Sequence, residues 1–408
     1  MLSYVVGIVL FALGIGISVA IHEAAHLGTA KIFGMKVRRY FIGFGRKIWS
    51  FRRGETEYGL KLIPAGGFCD IAGMTALDEL APDEHSRAMW RYPTWKRFVV
   101  MASGSVSHFV IGFIVLYLMA VTMGLPNVTN KSVVADIAPC AQSVSSYTRT
   151  RVEYAPCTPS TPSPARDAGL RAGDRIVAVA GKPTSTWTDV TSTVQPLRGP
   201  TTVVVERNGE RRTLTVDIAP VRSVVQQPGS RKQQFAETGA LGVLIARQFH
   251  YNVLTGIGGA GQFTGQLFVN VWEGIKRLPE KVPALLKAIA GGQRDRDTPM
   301  SVVGASRIGG EAVQAGLWQL FWLFLALVNF ALGVFNLLPL LPLDGGHIAV
   351  AFYERIRDWL RKLRGKAAGG PVDYAKLAPL TMIVVLIGGA YMIVAVLADI
   401  VNPITLLH

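Results

Sequence analysis

Four stretches of this chain are long enough, and free enough of charge, to cross a lipid bilayer. A spanning helix needs about 20 consecutive apolar residues. Uncharged runs of that kind occupy residues 1–21, 98–124, much of 312–343, and 377–398. In hydrocarbon every backbone N–H and C=O must find a partner within the protein, and runs of this length do so as helices. Half of the 408 residues are hydrophobic and only 17% are charged, which fits an integral membrane protein better than a large soluble one. The formal net charge of +15 does not indicate a nucleic-acid partner. The Lys and Arg residues cluster just outside the apolar runs, where membrane topology accounts for them. The apolar N-terminus lacks a basic leader and a cleavage site, so it reads as a retained helix.

Loop charge sets the expected orientation. Residues 31–97 carry 13 Lys and Arg, and residues 345–376 carry seven, so both segments are expected in the cytoplasm. The N-terminus, residues 125–311 and the C-terminus then face outward. Residues 248–272 contain no Asp, Glu, Lys or Arg but are crowded with Gly, Gln, Asn and Thr. They are expected to be interfacial or partly inserted, because a further span would put Asp344 across the membrane from His22 and His26.

Residues 131–220 read as a small soluble module. A turn-rich run, Gly169-Leu170-Arg171-Ala172-Gly173-Asp174, leads into the alternating strand 175–179. Gly181-Lys182-Pro183 makes a turn, and 187–194 is a short helix. Strands 201–206 and 212–218 flank Asn208-Gly209, a hairpin signal. This order resembles a circularly permuted bacterial PDZ domain. Cys140 and Cys157 flank a Ser/Thr/Pro-rich stretch expected outside the cytoplasm, where a disulfide is the hypothesis and free thiols the alternative. Cys69 is expected as a lone reduced thiol.

The chemistry concentrates in two motifs. His22-Glu23-Ala24-Ala25-His26 places two imidazoles four residues apart, so on a helix both face one way and can share a zinc ion. Glu23, beside the first, can take a proton from activated water. A surface helix without metal is the bland alternative, but two histidines and a glutamate at the end of an apolar span are costly to keep there without a use. A catalytic zinc has three protein ligands and one open position. Asp344 is the candidate third ligand, in Asn336-Leu337-Leu338-Pro339-Leu340-Leu341-Pro342-Leu343-Asp344-Gly345-Gly346. The prolines break the helix ahead of it, and the glycines allow close backbone approach. The alternative for Asp344 is an ordinary helix cap.

HExxH at the end of the first span, with Asn-x-x-Pro-x-x-x-Leu-Asp-Gly-Gly in the third, resembles the site-two protease family, particularly its actinobacterial members. The likeness covers nearly the whole chain. It implies one Zn2+ per chain held by His22, His26 and Asp344, with Glu23 as general base and then proton donor. It also implies that Asn336 contacts the substrate backbone or developing oxyanion, although Asn336 could simply cap broken helix. Gly43-Phe44-Gly45 and the run ending Gly66-Gly67-Phe68 resemble the family's membrane-associated β-hairpin, an edge to which substrate could add as a strand; bracing the core is the alternative. Thr298-Pro299-Met300-Ser301-Val302-Val303-Gly304 resembles a family motif without an assigned role. One departure stands out: where the family has Gly-Pro-x-x-Asn, this chain reads Gly104-Ser105-Val106-Ser107-His108. His108 either packs as a neutral hydrogen-bonding residue or approaches the metal cavity.

The expected architecture is a polytopic α-helical membrane protein with four transmembrane helices, a membrane-associated β-hairpin and an extracytoplasmic α+β PDZ-like domain. Its parts are a membrane core at 1–124, the PDZ-like domain at 125–225, an extracytoplasmic or interfacial linker at 226–311, and a second membrane core at 312–408. By resemblance it is an intramembrane zinc metalloprotease of the cell membrane. Its active site faces the cytoplasmic side. Its substrates are single-span membrane proteins, such as anti-sigma factors, trimmed beforehand by another protease. Membrane lipid is a partner and nucleic acid is not.

Overall fold

The computed structural model describes residues 1–75, 78–148, 152–226, 233–295 and 297–406. The chain divides into two compact units, one formed by 1–123 with 253–408 and the other by 124–252. The expected linker at 226–311 is therefore divided between them, and its residues 227–232 and 296 lie outside the described residues.

The first unit opens with α1 (Leu2–Ile32). Its buried positions Gly7, Phe11, Ile15, Ser18, His22, His26 and Ala30 fall three or four apart, so they form one stripe along the helix. Opposite them Leu2, Val5, Val9, Leu13, Ile17 and Ile21 are exposed, an apolar face suited to lipid. Strands β1 (Val37–Arg53) and β2 (Thr56–Ile71) pair antiparallel with repeated shifts of register. The shifts accompany left-handed backbone at Gly43, Gly45 and Gly66, a conformation glycine adopts without steric cost. Helix α2 (Thr94–Thr122) follows. Between β2 and α2, Arg38 reaches across to Glu84 at 2.6 Å and Asp78 at 2.8 Å, tying this connection to the hairpin.

The second unit is built around a sheet. Its elements in order are β3 (Leu125–Pro126), β4 (Val134–Ile137), β5 (Val144–Tyr147), β6 (Val152–Tyr154), α3 (Pro164–Asp167), β7 (Arg175–Val179), β8 (Lys182–Pro183), α4 (Trp187–Val194), β9 (Gly199–Arg207), β10 (Glu210–Gln226), β11 (Gln233–Ala240), β12 (Val243–Ile245) and β13 (Gln248–Phe249). Five strands form one sheet in the order β11-β10-β9-β7-β8. Asn208 and Gly209, both at positive φ, turn β9 into β10, as their residue types demand. The far half of β10 pairs with β11, so the strand is longer than the expected 212–218. Helix α4 begins with a reciprocal cap between Thr186 and Asp189. Ile176, Val179, Val203, Val205, Val216 and Ile218 fill the core. Asp174 is fully buried and receives both Nε and a terminal nitrogen of Arg207, at 2.6 and 2.7 Å. Cys140 and Cys157 are joined as a disulfide, and Cys69 in the first unit is free.

The first unit resumes with α5 (Val253–Lys276), followed by α6 (Leu278–Ile289), α7 (Val302–Gln314), α8 (Trp318–Asn336), α9 (Asp344–Leu363) and α10 (Ala378–Val401). Only α1, α2, α8 and α10 are long and apolar enough to be candidate membrane spans among the described residues. The third apolar stretch is thus two helices, split at Gly316, whose φ is +72°, a left-handed position that ends α7.

The segment expected to be interfacial or partly inserted forms α5, which is not among the candidate spans of the described residues and packs against α2 and α8. Tyr117 of α2 donates to the carbonyl of Val253 at 3.1 Å, and the Phe268 ring lies 4.8 Å from Phe109 and 5.3 Å from Phe330. Helix α5 therefore runs antiparallel to α2. Its Gly256 sits against Val121 and Tyr117, the close approach that small residues permit between helices.

Two buried ion pairs anchor the C-terminal part. Arg97 at the start of α2 meets Glu354 of α9 at 2.6 Å, and Glu354 also accepts from the Val372 N–H. At the far end of α10, Asp399 pairs with Arg294 at 2.7 Å and accepts from both N–H and hydroxyl of Ser301. Ser301 also caps α7. The Thr298–Gly304 motif therefore has a structural task, joining the beginning of α7 to the end of α10.

Candidate metal centre

Three side chains from two segments converge on one point. The inward stripe of α1 supplies His22 and His26, one turn apart, and the first turn of α9 supplies Asp344. His22 Nε2 and His26 Nε2 are 3.2 Å apart, and Asp344 Oδ2 lies 3.3 Å from each. A four-coordinate zinc with bonds of about 2.0–2.1 Å has its ligand atoms roughly 3.3 Å apart. No other cluster of three or more such donors occurs among the described residues.

Orphaned atoms agree with the spacing. Asp344 Oδ2 is buried and accepts no hydrogen bond among the described residues, although a buried carboxylate needs compensation. Burial opposes ionisation of Asp344, but the nearby His22 and His26 outweigh it and hold the carboxyl below the usual carboxylate range. His26 donates from Nδ1 to the Val100 carbonyl at 2.7 Å, which leaves the lone pair on Nε2, toward the cluster. Two nitrogens and one carboxylate oxygen, with a fourth direction open, suit a catalytic zinc.

Backbone brought close to the cluster fixes its walls. Gly345 and Gly346 pack against the backbone of Leu337, Leu338 and Leu340, so the turn before Asp344 has no room for side chains there. Gly104 of α2 faces the two imidazoles directly: a methyl group there would lie 2.7 Å from His22 Nε2 and closer to His26 Nε2. A helical glycine at ligand distance carries no mark in one sequence, and this contact was not foreseen.

Glu23 is half-buried beside the cluster, and Gly67 of β2 packs on it, with room of only 3.0 Å between a methyl at Gly67 and Glu23 Cγ. Gly66 packs beneath the Phe44 ring, which stacks with Phe68 at 6.3 Å. Gly43 and Gly45 lie on the opposite strand. The hairpin thus brings Gly66 and Gly67 toward Glu23, while Phe44 stays largely exposed. Asn336 closes α8, half-buried, and its side chain has no hydrogen-bond partner among the described residues. His108 does not join the three donors. Its ring lies 4.9 Å from that of His22, tilted by 38°, and it donates from Nδ1 to Asn329 Oδ1 at 3.1 Å. Asn329 was not singled out by its sequence, since one amide in an apolar helix carries no spacing signal.

The chain is similar to known proteins along nearly its whole length. The model of peptidase family M50 matches residues 10–380. The zinc metalloprotease Rip1 of Mycobacterium bovis is 47% identical over 409 residues, spanning 99% of this chain and 100% of its own. Rip1 of Mycolicibacterium smegmatis is 45% identical over 407 residues, 98% of each chain. The zinc metalloprotease RasP of Geobacillus kaustophilus is 24% identical over 445 residues, 90% of this chain and 91% of its own. Coverage from end to end means the likeness takes in both the HExxH helix and the Leu-Asp-Gly-Gly turn.

Proposed function

Because the chain belongs to peptidase family M50 and is a zinc metalloprotease, we propose that it hydrolyses a peptide bond in or near the transmembrane segment of single-span membrane proteins. The observation that carries this reading is that Asp344 meets His22 and His26 at 3.3 Å, two histidines 3.2 Å apart on an apolar helix long enough to span a bilayer. A protease site among such helices is placed for substrates that are themselves in the membrane.

In this reading His22, His26 and Asp344 hold the zinc. When bound, zinc supplies Lewis-acid polarisation of the scissile carbonyl and makes water acidic enough to attack near neutral pH. Glu23 takes the proton from the attacking water and passes it to the leaving amine. The β2 edge at Gly66 and Gly67 holds the substrate extended beside Glu23. That form frees a scissile bond which a transmembrane helix keeps in its own hydrogen bonds. Asn336 hydrogen-bonds the substrate backbone or the developing oxyanion.

The same reading places the protein in the cell membrane, with the metal site toward the cytoplasm between the basic segments 31–97 and 345–376. The second unit, PDZ-like and disulfide-bonded, lies outside and admits substrates already trimmed by another protease. Anti-sigma factors fit that description. The test is cleavage of a labelled single-span substrate in lipid by wild type and Glu23→Gln, each with and without a chelator. Cleavage by wild type alone, lost on chelation and restored by zinc, supports the mechanism. Equal cleavage by Glu23→Gln overturns it.

A further inference from the structure

The two histidines of the cluster are held in different ways. A metal-bound imidazole commonly donates its second nitrogen to a carbonyl or carboxylate, which fixes the ring and its tautomer. His26 does so through Val100. His22 does not: its Nδ1 is buried and has no hydrogen-bond partner among the described residues. Besides His26 and the backbone at Gly104, the His22 ring meets the ring of His108, with centroids 4.9 Å apart and planes inclined by 38°. His108 is itself tied down. It is 2% exposed, and its Nδ1 donates to the side-chain oxygen of Asn329, which is 0% exposed. The Asn329 amide in turn donates to the Leu325 carbonyl, one turn back on α8, at 2.9 Å. That second bond fixes which end of the amide faces His108, and the chain of contacts runs from α8 through α2 to α1.

We propose that Asn329 and His108 are positioning residues that orient His22 toward the metal, a hydrogen-bonded ring held against His22 doing for it what the Val100 carbonyl does for His26. The inference rests on His22 being a zinc ligand. It explains why a fully buried Asn stands in the middle of the largely apolar α8, where an amide without a purpose is expensive. It also gives the departure at His108 a role: its ring, tilted by 38°, confines the His22 imidazole from the α2 side.

The test measures zinc affinity by competition with a chromophoric chelator, and the absorption bands of the Co2+-loaded protein, in lipid. The variants are Asn329→Leu, which keeps volume and removes the acceptor, His108→Ala, and the two combined. Each single variant is expected to weaken zinc binding by about 10–100-fold, the usual range for outer-shell partners, and to shift the Co2+ bands. The combination should be no weaker than His108→Ala alone, because both act along one path. Unchanged affinity and bands in Asn329→Leu, or single effects that multiply in the combination, would overturn the proposal. Should Asn329→Leu fail to assemble, His108→Phe keeps the ring and removes the hydrogen bond. It must then weaken zinc binding and shift the Co2+ bands; wild-type values would refute the role of Asn329. Failure of the wild type to bind one zinc per chain would instead strike the ligand assignment itself, so the two failures are distinct.

Discussion

Replacing Gly104 by alanine adds a single methyl group at the wall of the metal centre, and the structure sets the size of its effect. The new carbon would lie 2.5 Å from His22 Cε1 and 2.7 Å from His22 Nε2. Unstrained contacts of this kind sit at about 3.5–4.0 Å, so the ring or the helix must give way by roughly 0.8–1 Å. Helix α2 is poorly placed to move. Farther along its buried face Gly112 packs on the Phe330 ring, and the Phe109 ring packs on Gly333. The histidines therefore take the displacement. Metal–ligand distances hold to about 0.2 Å, so the shift exceeds the tolerance about fourfold. Outer-shell changes that leave ligands in place already weaken metal binding by 10–100-fold. Moving a ligand should cost at least about 100-fold, or roughly 2.8 kcal/mol, and cleavage should fall with it. The metal-free protein should not lose stability on backbone grounds, because alanine is better than glycine inside a helix by about 0.8–1 kcal/mol. Zinc competition titration, with thermal unfolding of the metal-free form alongside, separates the two effects. Wild-type zinc affinity in Gly104→Ala would refute the claim that α2 bounds the site.

Two further outcomes follow from the second unit. Burial raises the proton affinity of Asp174, but Arg207 and the Arg171 N–H outweigh it and lower its pKa. The folded value is then below the unfolded one of about 3.9. The stabilisation is present above the unfolded pKa and fades as pH falls toward the folded one, so the Tm of residues 124–252 should drop below about pH 4. Asp174→Asn should lower Tm at pH 7 and flatten that acid limb, and an unchanged limb would refute the assignment. Deleting residues 131–220 should extend cleavage to substrates that have not been trimmed; unchanged selectivity in a reconstituted assay would count against the gate.

How much was legible in the sequence depended on whether the signal was local. His22 and His26 could be paired on paper because a four-residue spacing is a helix turn, and Asp344 because prolines announce broken helix before it. The β9–β10 turn was readable from Asn208-Gly209, and α4 as a short helix over 187–194, while its Thr186–Asp189 cap was not singled out. Gly104, Val100 and Asn329 were not, because each matters through a contact made across more than 70 positions of chain. Helix α5 was legible only as an interfacial or partly inserted stretch, because its Gly and Gln content lowers its hydropathy; that Gly256 lets it lie close to α2 depends on a contact with Val121 and Tyr117 far away in the chain.

The three proposed ligands come from distant parts of the polypeptide: positions 22 and 26 near its beginning, and position 344 of 408 near its end. During synthesis the HExxH helix emerges early, yet its partner carboxylate is still untranslated while α2, the second unit and α8 are being made. The nascent protein therefore passes most of its assembly as half an enzyme, with histidines but no completed metal cage. Competence to cut arrives only after more than four-fifths of the chain exists. Under the proposed function and ligand set, the order of its residues thus keeps the protease inactive during its own insertion.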